Sequence, residues 1–190
     1  MERVPMSSST VRRRRWTREE FERIVDAGGF GPEDRIELLD GEIWEMTPQG
    51  SRHAAVCGQV ADVLRKAFGD DCTVRGQSPI ALDDASEPEP DVAVVRGSQF
   101  DYVDEHPREV LLLVEVSESS LSHDRGRKLA AYARNGVPEY WLLDLTAARL
   151  EVYRDPTGDS YASRSVLAPG DTVSPLRAPR SVIDVADLLP

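Results

Sequence analysis

Glu115 is a single carboxylate inside the apolar run LLLVEVS of residues 111–117. Continuous hydrophobicity is typical of a central strand covered on both faces, so we expect Glu115 to be buried. An ionised carboxylate there costs several kcal/mol unless a cation or a proton compensates it. The next helical stretch offers Lys128, with Asp124 four positions earlier on the same helix face. This pattern indicates a chemical site, and a buried structural ion pair is the alternative interpretation.

Two further acids, Glu37 and Asp91, stand beside apolar strand residues. Glu37 lies in the predicted hairpin RIELLDGEIWEM, and Asp91 begins the strand-like run DVAVV. If the fold brings both to Glu115, like charges about 4 Å apart repel by about 4 kcal/mol, so the cluster would require a divalent cation. Oxygen ligands and water favour Mg²⁺ or Mn²⁺. With Lys128 stabilising the charge of a transition state, these parts suit phosphodiester hydrolysis.

Three other polar residues are weaker candidates for the same site. His53 stands near the start of a predicted helix, Ser117 shares a strand face with Glu115, and Asp124 begins the helix that carries Lys128. Each also suits an ordinary capping or hydrogen-bonding role. The chain contains no GxGxxG, no Walker-type GK[ST] and no GxSxG elbow, so neither a nucleotide-binding loop nor a serine hydrolase is indicated.

Helical and strand patterns alternate along the chain. Thr17 and Glu20 form a predicted capping box, and Asp40 and Gly41 suit a type I′ hairpin turn. The predicted elements that follow are a helix over 51–68, strands over 72–77, 79–82, 91–95 and 109–117, a helix over 123–134, a strand over 139–145 and an antiparallel pair joined around 156–159. This order predicts a mixed α/β sheet with helices on both faces.

The length and the charge distribution predict one domain with a basic arm. A chain of 190 residues with 40% hydrophobic residues has enough material for one full core. The net charge is -11, yet residues 1–15 carry five arginines, including Arg12 to Arg15, and one acid, so the remainder has a charge of -15. That remainder is opposite in sign to the surface expected for gripping DNA. We expect a disordered arm over 1–16 and a domain over 17–190.

The cysteines and the absence of long apolar runs indicate a soluble cytoplasmic protein. Cys57 and Cys72 lack CxxC spacing and a nearby pair of histidines, so neither a disulfide framework nor a structural zinc site is expected. Both are expected to be small buried residues in a reducing compartment. No run approaches the roughly 20 apolar residues of a membrane span, and no signal peptide is indicated, so no membrane partner is expected.

The order of these motifs resembles the Uma2 family, also called DUF820, a branch of the PD-(D/E)XK nuclease superfamily. The resemblance rests on RIELLDGEIWEM, a helix with His53, PEPDVAVV and LLLVEVSESSLSHDRGRKLAAYARNGVPEYWLLD. It extends from about Thr17 to the C-terminus and is most specific between Glu115 and Asp144. It implies a restriction endonuclease-like core with an αβββαβ arrangement, a Mg²⁺-dependent site that cleaves DNA, and a homodimer.

The resemblance also implies roles for individual residues. Asp91 would be the motif aspartate and Glu115 the acid of the (D/E)XK element. The chain departs from the superfamily pattern at Ser117, where lysine is expected. Lys128 looks like the migrated substitute, since its long, flexible stem can reach the same cavity. Glu37 would be an additional acid at the metal.

Two alternatives remain beside the nuclease. One is a non-catalytic binding or assembly module with the same fold, which the negative charge of the domain favours. The other is a metal-dependent hydrolase of a small phosphorylated molecule, which needs less basic surface than a nuclease.

Overall fold

The computed structural model describes residues 12–31 and 33–190 as a mixed sheet with flanking helices. The helices are α1 (Arg18–Asp26), α2 (Ser51–Phe68) and α3, which is the continuous helical segment 121–134. The strands are β1 (Ile36–Leu39), β2 (Glu42–Glu45), β3 (Cys72–Gly76), β4 (Val92–Arg96), β5 (Leu112–Ser117), β6 (Glu139–Asp144), β7 (Arg149–Thr157), β8 (Ser160–Leu167), β9 (Thr172–Val173) and β10 (Ile183–Asp184).

Strands β3 to β8 form the central sheet in sequence order. β5 and β6 are parallel because α3 connects them, and the other neighbouring strands are antiparallel. The succession α2, β3, β4, β5, α3, β6 is the αβββαβ arrangement expected from the resemblance. The mixed α/β fold class is therefore confirmed.

The two local signals at the start of the domain are also confirmed. Thr17 and Glu20 form the capping box of α1. Asp40 and Gly41 join β1 to β2 with φ angles of 53° and 73°. Both values lie in the left-handed region that a type I′ turn requires, and a residue with a β-branched side chain would be strained there.

The two faces of the sheet bury separate apolar clusters. One cluster joins α2 to the face that carries Val114, Val116 and Trp141. The other joins α3 to the opposite face, which carries Leu113 and Tyr140. Strand alternation therefore turns Glu115 toward α3 and away from α2. None of the helices in the described ranges is both long and apolar enough to span a bilayer.

The helix predicted over 123–134 begins earlier and contains an irregular turn. It starts with Leu121–His123, continues as a π-helix over Asp124–Lys128 and ends with Leu129–Arg134. A π-turn widens the backbone spiral and is often found at functional sites. Here it carries two predicted site residues, Asp124 and Lys128.

The strand predicted over 79–82 is wrong. Ile80 and Ala81 are buried as a strand would be, but their amides donate to different segments, the carbonyls of Pro88 at 3.1 Å and Pro107 at 2.9 Å. A ladder needs one partner strand, so no strand forms here. The acidic segment that follows instead pairs with β1, because Glu87 and Leu38 exchange backbone hydrogen bonds.

The predicted arm is only partly within the described residues, since residues 1–11 lie outside them. Arg13 forms an ion pair with Glu42 at 3.0 Å, and the Trp16 amide donates to the Gly41 carbonyl at 2.9 Å. Arg13 and Trp16 therefore contact the hairpin formed by β1 and β2. The proposed boundary at residue 17 stays a prediction.

Candidate functional site

Asp91 and Glu115 meet where β4 begins beside β5. Val92 pairs with Val114, so the residue before Val92 lies next to Glu115. The Asp91 amide donates to Glu115 Oε2 at 3.4 Å, and the Val116 amide donates to Asp91 Oδ2 at 2.8 Å. Both side chains are buried, and the two strands hold them in register. The structure thus brings together two acids that are 24 residues apart in sequence.

Lys128 enters this site from α3. Its side chain is buried, and Nζ lies 3.1 Å from Glu115 Oε1 and 3.2 Å from Glu37 Oε2. Desolvation opposes the charged form, but the surrounding carboxylates of Glu115 and Glu37 outweigh it and raise the pKa of Lys128. Lys128 is therefore an ammonium ion fixed between two carboxylates.

Glu37 contacts the same Lys128 ammonium as Glu115. Its Oε2 accepts from the Glu89 amide at 3.2 Å, and its Oε1 lies 3.5 Å from His123 Nε2. Desolvation would raise the pKa of Glu37, but Lys128 and His123 outweigh this effect and lower it. Glu37 and Glu115 therefore share the Lys128 ammonium, but Glu37 does not line the cleft that Glu115 and Lys128 line.

His53 joins the site through Asp91. It lies on the first turns of α2, with Nε2 3.2 Å from Asp91 Oδ2. The hydrogen bond to Asp91 raises the pKa of the His53 imidazole, and burial opposes this. For Asp91, desolvation favours the neutral form, but His53 and the Val116 amide together hold the pKa of its carboxyl below the usual value.

Ser117 ends β5, and Ser120 links it to Asp124 on α3. The hydroxyls of Ser117 and Ser120 are 3.3 Å apart, and Ser120 donates to Asp124 Oδ2 at 2.6 Å. Desolvation raises the pKa of Asp124 despite the nearby Lys128. Asp124 contributes to the cleft wall beside Lys128, whereas Ser117 is packed behind it.

Glu115 is the acid whose charge is least compensated. Desolvation raises its pKa well above the ordinary value, and the neighbouring charges of Asp91 and Asp124 add to this effect. Lys128 and a hydrogen bond from the Tyr132 hydroxyl to Oε1 at 2.6 Å act in the opposite direction. An additional cation at this carboxylate would therefore be stabilised.

The site opens into a cleft of about 120 Å³ whose wall includes Asp91, Glu115 and Lys128. One oxygen of each acid makes only a long hydrogen bond. Asp91 Oδ1 accepts from Gln49 at 3.3 Å, and Glu115 Oε2 accepts from the Asp91 amide at 3.4 Å. A water occupies about 30 Å³ of liquid, so the cleft has room for several. Two carboxylate oxygens and water are a donor set that fits a hard divalent cation.

Tyr132 and Cys57 are among the residues at the site that were not predicted. Tyr132 follows Lys128 by four positions, and its hydroxyl binds the same oxygen of Glu115. Cys57 follows His53 by four positions, with Sγ 3.4 Å from His53 Nδ1. Residues at this spacing lie on one helix face, so the spacing itself was the available signal in both cases.

Comparison with known proteins gives the fold and the family. The chain is similar to a solved structure described as a "putative nuclease belonging to DUF820" from Anabaena variabilis ATCC 29413, with a TM-score of 0.69 and 19% identity over 90% of this chain and 96% of that chain. No curated protein is significantly similar to the chain. The family model Uma2, described as "Putative restriction endonuclease", matches residues 18–186. This match covers most of the domain and agrees with the resemblance in its motifs, so the chain belongs to the Uma2 family.

Proposed function

We propose that this Uma2 protein is a Mg²⁺- or Mn²⁺-dependent endonuclease that hydrolyses phosphodiester bonds in DNA. Asp91 and Glu115 would hold the metal, and Lys128 would stabilise negative charge on the phosphate. The observation that carries the proposal is the meeting of the buried Lys128 ammonium with Glu115, thirteen residues before it, in the wall of a cleft that Asp91 also lines. The family and the fold support the same reaction class.

The hydrogen bonds of the two acids support their role as ligands. The Val116 amide and His53 hold Asp91 Oδ2, which leaves Oδ1 for another partner. Lys128 and Tyr132 hold Glu115 Oε1, which leaves Oε2. Groups that fix one oxygen of a ligating carboxylate orient the other. A divalent ion held there supplies a Lewis acid for the phosphoryl oxygen and lowers the pKa of an attacking water.

Lys128 is suited to electrostatic stabilisation and unsuited to proton abstraction. A general base must lose its proton near the working pH, whereas the surrounding acids raise the pKa of Lys128. A fixed ammonium placed where negative charge develops lowers the barrier without reorganising at the moment of reaction. The charge is held in place by two carboxylates, so its position is set before a substrate arrives.

Glu37 is better suited to positioning Lys128 than to binding the metal. Its two oxygens lie near Lys128, the Glu89 amide and His123, and Glu37 does not line the cleft that Asp91 and Glu115 share. We therefore assign it a positioning role in the proposed reaction, together with His53 on Asp91. Asp124 adds negative charge near Lys128, and Ser117 supports Ser120, which in turn orients Asp124.

Metal titration and DNA cleavage test the proposal together. Mn²⁺ should raise the Tm of the wild type and much less that of Glu115→Gln, because an ion that binds only the folded state stabilises it. Cleavage of single-stranded and duplex DNA should be lost in Glu115→Gln and in Lys128→Met. The matched control is Glu109→Gln, which changes an exposed acid six positions before Glu115. Cleavage that persists in both site variants would contradict the proposal.

A small phosphorylated substrate is the second candidate, favoured by the narrow cleft and by the charge of -15 on residues 16–190. The arginine arm offsets this charge only in part, since Arg13 and Arg14 already form ion pairs with Glu42 and Glu20. A chromogenic phosphodiester assayed beside DNA separates the two substrates. If neither is cleaved and Mn²⁺ does not bind, the non-catalytic module is the remaining function. Sedimentation of the same samples tests the proposed homodimer.

A further inference from the structure

His53, Cys57 and Asp91 form a group outside the pair of acids proposed to bind Mg²⁺. The potential ligand atoms of the three side chains all lie within 4.8 Å of one another. His53 and Cys57 are one turn apart on α2, and Asp91 faces them from the start of β4. His53 Nδ1 is 3.4 Å from Cys57 Sγ, and Nε2 is 3.2 Å from Asp91 Oδ2.

The donor types in this group select a different metal from the carboxylate pair. A thiolate and an imidazole are ligands that Zn²⁺ prefers, whereas Mg²⁺ prefers oxygen alone. In a tetrahedral zinc site, bonds of about 2.0 to 2.3 Å place neighbouring ligand atoms about 3.4 to 3.6 Å apart. Only one imidazole nitrogen can bind the ion, so His53 must rotate for all three residues to bind.

We propose that His53, Cys57 and Asp91 form a Zn²⁺ site with water as the fourth ligand. The thiol proton of Cys57 is released to solvent when the ion binds, since the thiolate is the ligand. Fixed on one helix face four positions apart, His53 and Cys57 present two ligands without any loop rearrangement. Asp91 closes the set from the neighbouring strand.

The ion has a route to this site that does not pass through the cleft of Lys128. A second cavity, of about 290 Å³, is lined by Cys57, Asp91, Gly58 and Gly76. A Cβ at Gly58 would meet no atom within 4 Å, so the cavity is open at that residue. Asp91 therefore separates two cavities, one with Glu115 and one with Cys57.

Asp91 belongs to both proposed metal sites, so we expect Zn²⁺ binding to affect catalysis. This expectation rests on the proposed function. If Asp91 is a ligand of the Mg²⁺ or Mn²⁺ ion, Zn²⁺ bound with Cys57 and His53 withdraws it from that role. Zn²⁺ should then inhibit cleavage, and removal of the Cys57 thiol should relieve the inhibition. Zn²⁺ binding itself requires only the three ligands and not an active nuclease.

Cobalt absorption gives a readout that is independent of activity. Co²⁺ replaces Zn²⁺ in such sites, and a cysteine ligand produces sulfur-to-cobalt charge-transfer absorption in the near ultraviolet. We expect this band in the wild type and its loss in Cys57→Ser and His53→Ala. Cys72→Ser is the matched control, because Cys72 is the other free cysteine and begins β3. Zn²⁺ at about 100 times its Kd should raise the wild-type Tm by at least about 5 °C and leave Cys57→Ser nearly unchanged.

A protection experiment on the wild type avoids dependence on the folding of variants. Zn²⁺ should slow alkylation of Cys57 by iodoacetamide at least about tenfold relative to Cys72, measured by peptide mass. No band in the wild type, a band that persists in Cys57→Ser, or equal protection of both cysteines would overturn the proposal. A Mn²⁺ response that survives in Cys57→Ser separates this site from the carboxylate site. If cobalt binds through Cys57 but Mn²⁺ neither binds nor supports cleavage, the proposed function fails and the zinc site stands.

Discussion

Two glutamates on the same face of the sheet, Glu115 on β5 and Glu151 on β7, have opposite electrostatic environments. Leu142 on β6 pairs with both, so they occupy one row across three strands. Both side chains are buried, and each stands between two apolar residues along its strand. Glu151 is surrounded by three arginines and the Tyr153 hydroxyl, whereas Glu115 has Lys128, which it shares with Glu37.

The pKa values of the two glutamates follow this difference. Desolvation alone would raise the pKa of Glu151, but hydrogen bonds from Arg125 and Tyr153 outweigh it and lower the pKa. Desolvation and the repulsion of Asp91 raise the pKa of Glu115 despite Lys128. A carboxylate surrounded by several cations, as Glu151 is, forms a structural ion cluster with them. A carboxylate with too few cations, in the wall of a cleft, is a place where a further cation is stabilised.

The largest expected effect comes from removing Lys128, the cation beside Glu115. The matched variant removes Arg125, one of the cations beside Glu151. Lys128→Met leaves Glu37 and Glu115 buried without their shared ammonium, which should lower the free energy of unfolding by about 3 to 5 kcal/mol. Arg125→Met should cost only about 1 kcal/mol, since Arg149 and Arg164 remain and the Arg125 side chain is 31% exposed. Urea unfolding measures both. Equal losses would mean that the two clusters are compensated alike.

Replacing each glutamate with glutamine should reverse the order of the two stability losses, because the change at Glu151 should now cost more than the change at Glu115. Glu151→Gln removes the acceptor of several charged hydrogen bonds and should cost about 2 kcal/mol. Glu115→Gln relieves the repulsion of Asp91, and Lys128 keeps Glu37, so its cost without metal should be below about 1 kcal/mol. Both variants are unfolded by urea in a chelating buffer. A larger loss for Glu115→Gln would show that the attraction between Glu115 and Lys128 outweighs the repulsion between Glu115 and Asp91.

The positions of the core elements could be predicted from local patterns, because those patterns describe short-range physics. The capping box at Thr17, the turn at Asp40 and the apolar run containing Glu115 each depend on neighbouring residues in the chain. The false strand over 79–82 shows where this fails. Its apolar residues correctly indicated burial, but a strand also needs a partner, which no local pattern specifies.

The site could be predicted only in part, because local patterns do not specify how distant segments of the chain pack together. The meeting of Asp91, Glu115 and Lys128 was inferred from the family motifs together with the buried position of Glu115. Whether Glu37 lines the cleft depends on how the hairpin packs, and no spacing in the sequence contains that information. Glu151 illustrates the converse, because an acid in an apolar strand is the same signal as Glu115. Only the arginines gathered by β7, β8 and α3 distinguish the two.

Removing the tyrosine hydroxyls sharpens the comparison at a smaller scale. Tyr132→Phe removes a donor from Glu115, which has few, and should cost about 1.5 kcal/mol. Tyr153→Phe removes one donor from the well-compensated Glu151 and should cost about half as much. Tyr132→Phe should also weaken the Mn²⁺-induced rise in Tm, whereas Tyr153→Phe should not. An identical metal response in the two variants would remove Tyr132 from the positioning of Glu115.

The smallest expected effect is the pH dependence of the stability that Glu151 contributes. Its pKa is lowered from the ordinary value of 4.5, so its stabilising contribution is present above about pH 4.5 and is lost as the pH falls further. The stability difference between the wild type and Glu151→Gln should therefore narrow below about pH 4.5, as measured by urea unfolding across the acid range. Glu109→Gln, which changes an exposed acid, controls for general acid destabilisation. If the stability difference stays constant through this range, the arginines stabilise glutamine as well as glutamate. The contrast between Glu151 and Glu115 would then depend on the shape of their surroundings and not on charge.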